Sequence, residues 1–305
     1  MGATRLMHHH RVPIGRGGVV RAAFWLASMY LIAAIAAGMP LDGPTATVIA
    51  TLVFVVGGMP HGAYDIALLV QATRLAGGGL CLAVAGYVAV AGVMAVLWLV
   101  APVAALILFL GVAAVHFGED WTMLDEPLLK VAAGAAIIAA PAIGHPSAVS
   151  HLFVGMAGGA GGDVVARAMI AVAPVALLVT GVGVVVAWRG GAREWAGAMA
   201  LAILMLIVAP PVAGFALFFV FLHSPRHLAE ARGLLRGMSR RAWLVTGGGM
   251  SALAIGGWLV FAANVARWLP ADPTAQAFQL LATVALPHLL LSHWLERRLG
   301  RQPHA

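Results

Sequence analysis

The sequence predicts an all-α protein, a polytopic membrane helix bundle of about eight to ten transmembrane helices. Three observations carry this prediction. Hydrophobic residues fill 62% of the 305 positions and charged residues only 10%, whereas a soluble domain is roughly a quarter charged. Mean hydropathy is +0.97, so there is too little polar surface to cover a water-soluble globule. The apolar residues also fall into runs of membrane-spanning length, roughly 20 residues each.

Ten candidate spans follow from those runs: 19–38, 45–73, 79–100, 102–118, 128–143, 164–188, 194–209, 211–230, 242–263 and 274–295. Gly77-Gly78-Gly79, Gly190-Gly191, Pro210-Pro211 and Gly247-Gly248-Gly249 punctuate the pattern. The runs 128–143 and 194–209 are short for a crossing. The stretch 145–162, with His145, Pro146, His151 and a glycine-rich end, reads as a loop or a re-entrant segment. Hence the range of eight to ten. Neither an internal repeat nor a long linker divides the chain. It reads as one integral-membrane domain, 1–305, with a basic cytoplasmic tail at 1–18 and a second tail at 296–305. The first apolar run lacks a clear cleavage site and is read as a retained span. His8, His9 and His10, ahead of it, receive no role.

Charge sets the orientation. With a cytoplasmic N-terminus, the inner loops hold Arg16, Arg21, Arg74, Arg189, Arg193, Arg232, Arg236, Arg240, Arg241, Arg297, Arg298 and Arg301. The outer loops hold little beyond Asp42, Asp163, Arg267 and Asp272. This is the positive-inside pattern, with both termini cytoplasmic and the chain crossing the inner (cytoplasmic) membrane many times. Glu119, Asp120, Asp125 and Glu126 form an acidic inner loop, and acidic residues weigh little in the rule. The net charge of +7 is spread over loops and ends with no aromatic-interleaved stripe, so nucleic acid is not a partner. The lone Cys81 excludes an internal disulfide or a cysteine metal cluster and reads as a small buried hydrophobe. The sequence assigns no oligomeric state.

Four strings interrupt the apolar pattern: GMPHGAYD (58–65), HFGED (116–120), HSPRH (223–227) and Pro287-His288. Ionisable residues at membrane depth are costly, face the bundle interior and mark sites. The topology brings His61, His116, the pair His223 and His227, and His288 with His293 to a similar depth, nearer the cytoplasmic face. His223 and His227 are four apart, which on a helix places both on one face within reach of one metal. Pro225 between them removes a helical hydrogen bond and predicts a kink. His61 with Asp65 and His116 with Asp120 repeat the spacing. Each carboxylate either supports its own imidazole from behind, as in many metal sites, or is itself a ligand beside histidine, as in non-haem iron centres. Asp120 at a helix end could also be simply solvated. Arg226 has Asp65, Asp120 and Glu230 as available partners, or extends to the interface alone. Gly57, Gly58 and Gly62 around His61 predict close helix approach. His288 and His293 are five apart and do not share a face; either could line the cavity. His145, His151 and His304 have no partner pattern. Imidazoles without thiolate suit iron, zinc, copper or nickel by ligand type.

Taken together and in order, the four strings resemble the Brp/Blh family of bacterial and archaeal membrane proteins, the β-carotene 15,15′-dioxygenases. The resemblance covers nearly the whole hydrophobic pattern. It implies that His61, His116, His223 and His227 bind one Fe(II), and that β-carotene and O2 are the substrates. It further implies that all-trans-retinal is the product, linking the protein to a retinal-binding rhodopsin. A polyene about as long as the ~30 Å hydrocarbon core could enter from the bilayer. A tunnel for it needs apolar and aromatic walls; Tyr64, Phe117, Trp121, Phe218, Phe219, Phe221 and Trp294 are candidates. The rival class is a transporter or channel whose histidines and aspartates relay protons or metal ions. Bis-histidine haem ligation is a third reading. A di-iron desaturase would need more clustered histidine boxes. A retinal photoreceptor would need a lysine inside the bundle, and the single lysine, Lys130, sits near the start of a span.

Overall fold

The computed structural model describes residues 20–299 apart from 123 and 125. The tail 1–18 with His8–His10, Asp125, Arg301 and His304 lie outside the described residues. Every regular element among the described residues is helical. In chain order they are α1 (Ala22–Ala36), α2 (Pro44–Gly58), α3 (Asp65–Thr73), α4 (Gly77–Val100), α5 (Pro102–Glu119), α6 (Pro127–Gly144) and α7 (Pro146–Ala157). Then follow α8 (Gly159–Arg189), α9 (Arg193–Val208), α10 (Pro211–Phe218), α11 (Ser224–Leu234), α12 (Arg240–Asn264) and α13 (Pro273–Leu299). A tight 3₁₀ turn, Met59–Tyr64, joins α2 to α3 without a break, and a wide π turn, Phe219–His223, joins α10 to α11. Six helices, α2, α5, α6, α7, α10 and α13, begin on proline, whose missing N–H costs nothing in a first turn.

Eight helical stretches are long and apolar enough to cross a membrane, counting α2–α3 and α10–α11 as one each. This is a multi-pass membrane bundle, as the composition requires. The other two expected spans are apolar helices of 15 residues (α1) and 16 residues (α9). At 1.5 Å per residue they reach about 22–24 Å, short of the ~30 Å core. The stretch 145–162 is helical rather than a loop. Pro146 opens the 12-residue α7, which at about 18 Å cannot cross. It ends at Gly158, whose φ of +79° is a conformation that glycine adopts freely. α8 starts directly after it at Gly159, five residues before the expected 164.

Small residues let the inner helices touch backbone to backbone, the usual means of helix association in lipid. A side chain added at Gly118 of α5 would fall 2.5 Å from the Lys130 carbonyl of α6, and one at Gly134 of α6 would strike the Ala114 carbonyl of α5. The interior holds Phe24, Phe54, Trp98, Leu106, Trp121, Met199 and Phe218, all fully buried. Leu82, Leu128, Leu178 and Leu253 face outward, the expected pattern where lipid is the solvent. Cys81 is also exposed, contrary to the reading of it as a core residue. It lies on α4, whose apolar span is only 11% buried, so most of that helix's circumference faces outward.

Replacing Gly134 by alanine should push α5 from α6 and cost about 1–3 kcal/mol, the usual penalty for overpacking. Gly86→Ala on α4, where an added Cβ meets nothing within 4 Å, should leave stability unchanged. Thermal unfolding of both variants in detergent, followed by size-exclusion chromatography, measures the difference.

Candidate metal centre

Two departures from α-helical geometry build the site. The first is the 3₁₀ turn carrying His61. It brings the α2 end against the π turn: Gly57 lies on Val220 and Gly58 on Phe219, with no room for a Cβ at either. The predicted close approach at these glycines is thus present, and Gly62 similarly faces the His288 ring. The second departure is the π turn ending at His223. Pro225, the second residue of α11, has no N–H to give, and the backbone opens just ahead of it. The expected kink takes this form; π turns frequently occur at functional sites.

Five imidazoles converge here. The ring centre of His61 lies 6.2 Å from that of His116, 5.3 Å from His223, 6.0 Å from His227 and 5.2 Å from His288. His116 is 4.8 Å from His223, 5.0 Å from His227 and 5.4 Å from His288. His223 and His227 are 4.5 Å apart, sharing a face as their spacing predicts. Side-chain nitrogens of His61, His116 and His223 fall within 4.8 Å of one another; His223, His227 and Asp120 form a second such group. Rings that share one metal through bonds of about 2.0–2.1 Å have centres roughly 5 Å apart, so the spacing fits a bound ion.

The hydrogen bonds behind the rings set their tautomers. His61 Nδ1 donates to the Gly58 carbonyl (2.5 Å), His116 Nδ1 to Glu119 (3.0 Å), His223 Nδ1 to Asp120 (2.7 Å) and His288 Nδ1 to Asp65 (2.9 Å). The Nε2 atoms of His116, His223 and His288 are buried and have no hydrogen-bond partner among the described residues, and that of His227 is buried with the Asp120 carboxylate 3.3 Å away. A buried polar atom left so is costly. An inward Nε2 lone pair with Nδ1–H held from behind is the state in which histidine binds metal. The donor set therefore fits a metal ion on its own chemistry.

The carboxylates do not pair with the histidines four residues before them. Asp65 accepts from His288 and from the Tyr87 hydroxyl at 2.7 Å, not from His61. Four residues at 3.0 per turn sweep roughly 480°, against roughly 400° at 3.6 per turn, so the 3₁₀ turn swings Asp65 away. Asp120 lies just past the end of α5 and accepts from His223, with His227 Nε2 3.3 Å from its other oxygen. Glu119 takes His116 instead. Burial alone would raise the Asp120 carboxyl, but the adjacent His223 and His227 hold it below the ordinary carboxylate range, so it is anionic. Half of the presumed acidic loop thus belongs to the site. Arg226 binds Glu230 (3.2 Å), Thr122 (3.2 Å) and the backbone carbonyl of Asp120, and lies over the Trp195 ring.

A cavity opens beside the rings, lined by His61, His116, His288, Met59, Tyr87, Phe109, Ala113, Phe117, Phe219, Met250, Leu281 and Val284 among others. A second, wholly apolar in its lining apart from backbone, shares Phe109, Ala113 and Phe117 with it and extends past Ile137, Phe153, Phe215 and Phe278. Of the expected tunnel aromatics, Phe117 and Phe219 line the first cavity. Tyr64 instead stacks on Trp243 and donates to its carbonyl; Trp121 and Phe218 are core, Phe221 packs against the core, and Trp294 is exposed. His288 is buried at the site, whereas His293 is exposed. The Pro287-His288 string had marked His288; five-residue spacing from His293 could not choose between them.

Residues 51–296 match the family described as beta-carotene 15,15′-dioxygenase. The chain is 29% identical over 296 residues to the protein named probable beta-carotene 15,15′-dioxygenase Blh of Halobacterium salinarum, covering 81% of this chain and 83% of that one. No solved structure matches.

Asp120→Asn should weaken binding of a divalent metal about 10–100-fold, because a neutral amide replaces the carboxylate whose two oxygens face His223 and His227. Glu230→Gln, at a side chain 55% exposed, should change it little. Metal titration of the detergent-solubilised protein against a competing chelator measures both.

Proposed function

The chain belongs to the β-carotene 15,15′-dioxygenase family, and from that premise we propose that it splits the central double bond of β-carotene with O2 in a reaction dependent on Fe(II). The products are two molecules of all-trans-retinal. The observation that carries this reading is the meeting of a buried imidazole cluster with an apolar cavity. His61, His116, His223 and His227 hold the iron. A ferrous ion there would bind and activate O2 for reaction with the alkene, whose own electrons reduce the two oxygen atoms to the two aldehyde oxygens. The protein's own part is to hold, orient and exclude water. Asp120, Glu119 and the Gly58 carbonyl fix the tautomers of His223, His116 and His61. Asp65 does the same for His288 beside them.

The two cavities, which share Phe109, Ala113 and Phe117 in their walls, receive the two halves of a symmetric hydrocarbon. His116 lies on the same helix and next to Phe117, so the midpoint of such a molecule comes to rest by the rings. A path for ions or protons would need polar walls along its length, and the second cavity is lined by apolar side chains alone. The substrate enters from the bilayer. The protein resides in the cytoplasmic membrane with both termini inside, where Arg74, Arg189, Arg232 and Arg236 meet anionic headgroups. Its product serves as chromophore for a retinal-binding rhodopsin.

Expression in bacteria that accumulate β-carotene tests the reading. Orange colour should fade and retinal should appear. His61→Ala, His116→Ala, His223→Ala and His227→Ala should each abolish retinal with membrane insertion retained. Intact carotene in cells holding inserted wild-type protein and sufficient iron would contradict it. Ala113→Phe should block passage between the cavities, reducing β-carotene cleavage at least tenfold while sparing a shorter apocarotenal that needs only one of them.

A further inference from the structure

We infer that His288 is a further ligand of the same metal, positioned by Asp65 and Tyr87. The inference rests on the reading of the histidine cluster as an iron site and extends the set of four. His288 lies in α13, directly after Pro287. Its Nδ1 sits 2.9 Å from both oxygens of Asp65, and Asp65 in turn accepts from Tyr87 at 2.7 Å. Elements distant in sequence thus join in a buried relay whose effect is to lock one imidazole. The opposite nitrogen of that ring, Nε2, is buried and meets no hydrogen-bond partner among the described residues. The ring centre is 5.2 Å from His61 and 5.4 Å from His116, and the ring packs directly over Gly62, where an added Cβ would lie 3.4 Å from Nδ1. Two residues, Asp65 and Tyr87, fix one ring whose Nε2 is left buried and unpartnered beside the rings of two proposed ligands, the construction that outer partners give a metal-binding histidine. His288 also lines the apolar cavity, so it closes the metal on the substrate side.

The test uses the full-length protein, purified in detergent, stripped by chelator and titrated with Co(II), whose visible ligand-field bands report the ligand set. Wild type should bind one Co(II). His288→Ala and His288→Gln should bind it at least about tenfold more weakly, with altered bands, and added imidazole should restore the wild-type spectrum in His288→Ala. Asp65→Asn, which keeps the side-chain volume, should lose about 10–100-fold in affinity; Tyr87→Phe should lose less. Wild-type affinity and unchanged bands in both His288 variants would overturn the assignment while leaving the iron site standing. Failure of the wild type itself to bind metal would overturn the iron site and the assignment with it.

Discussion

Everything at the centre of this molecule depends on hydrogen bonds made on the far side of each imidazole. A neutral histidine offers one lone pair, and which nitrogen carries it is decided by what the other nitrogen touches. Here Nδ1 of His61, His116, His223 and His288 is committed to a carbonyl or carboxylate. The inward nitrogens of His116, His223 and His288 are thereby left as acceptors without donors, buried where water would otherwise serve them. That is an expensive arrangement for an apolar bundle to maintain, and a cation relieves it.

The helices bend to make that arrangement. An uninterrupted α2 would carry Asp65 round beneath His61; the 3₁₀ turn sends it to α13 and α4 instead, where it holds His288 and meets Tyr87. An uninterrupted α10 would press Phe219 and Val220 differently against α2, and the glycines at 57 and 58 exist in that contact because any Cβ would collide. Irregular backbone of this kind is tolerated at membrane depth only where protein covers it. The cost is concentrated in the segments that carry the ligands, while α4, α8 and α12 remain plain, largely lipid-facing helices.

Much of this was legible in the sequence. The composition dictates the membrane bundle, and the histidine strings mark the segments that meet. The spacing of His223 and His227 gives their shared face without further information. The errors share a physical origin. Pairing Asp65 with His61 and Asp120 with His116 assumes unbroken α-helix, and both carboxylates lie where the α-helix changes or ends. His288 could not be preferred to His293 because burial depends on which neighbours α13 packs against. Tyr64 reads as a wall of the tunnel by proximity to His61, yet its ring turns to Trp243, a residue 179 positions away. Glu119 looks like a loop charge and is a partner of His116.

The central claim is that one ferrous ion held by the converging imidazoles lets this bundle cut β-carotene at its midpoint. The most direct measurement is reconstitution. Metal-free protein in detergent is loaded anaerobically with Fe(II) or with Zn(II), given β-carotene, and then exposed to labelled O2. The account predicts one iron per chain and two retinals for each carotene lost. Label should enter the aldehydes, and the zinc-loaded protein should make no product. Retinal formation that proceeds equally without iron, or carotene consumed to products other than retinal, would contradict it.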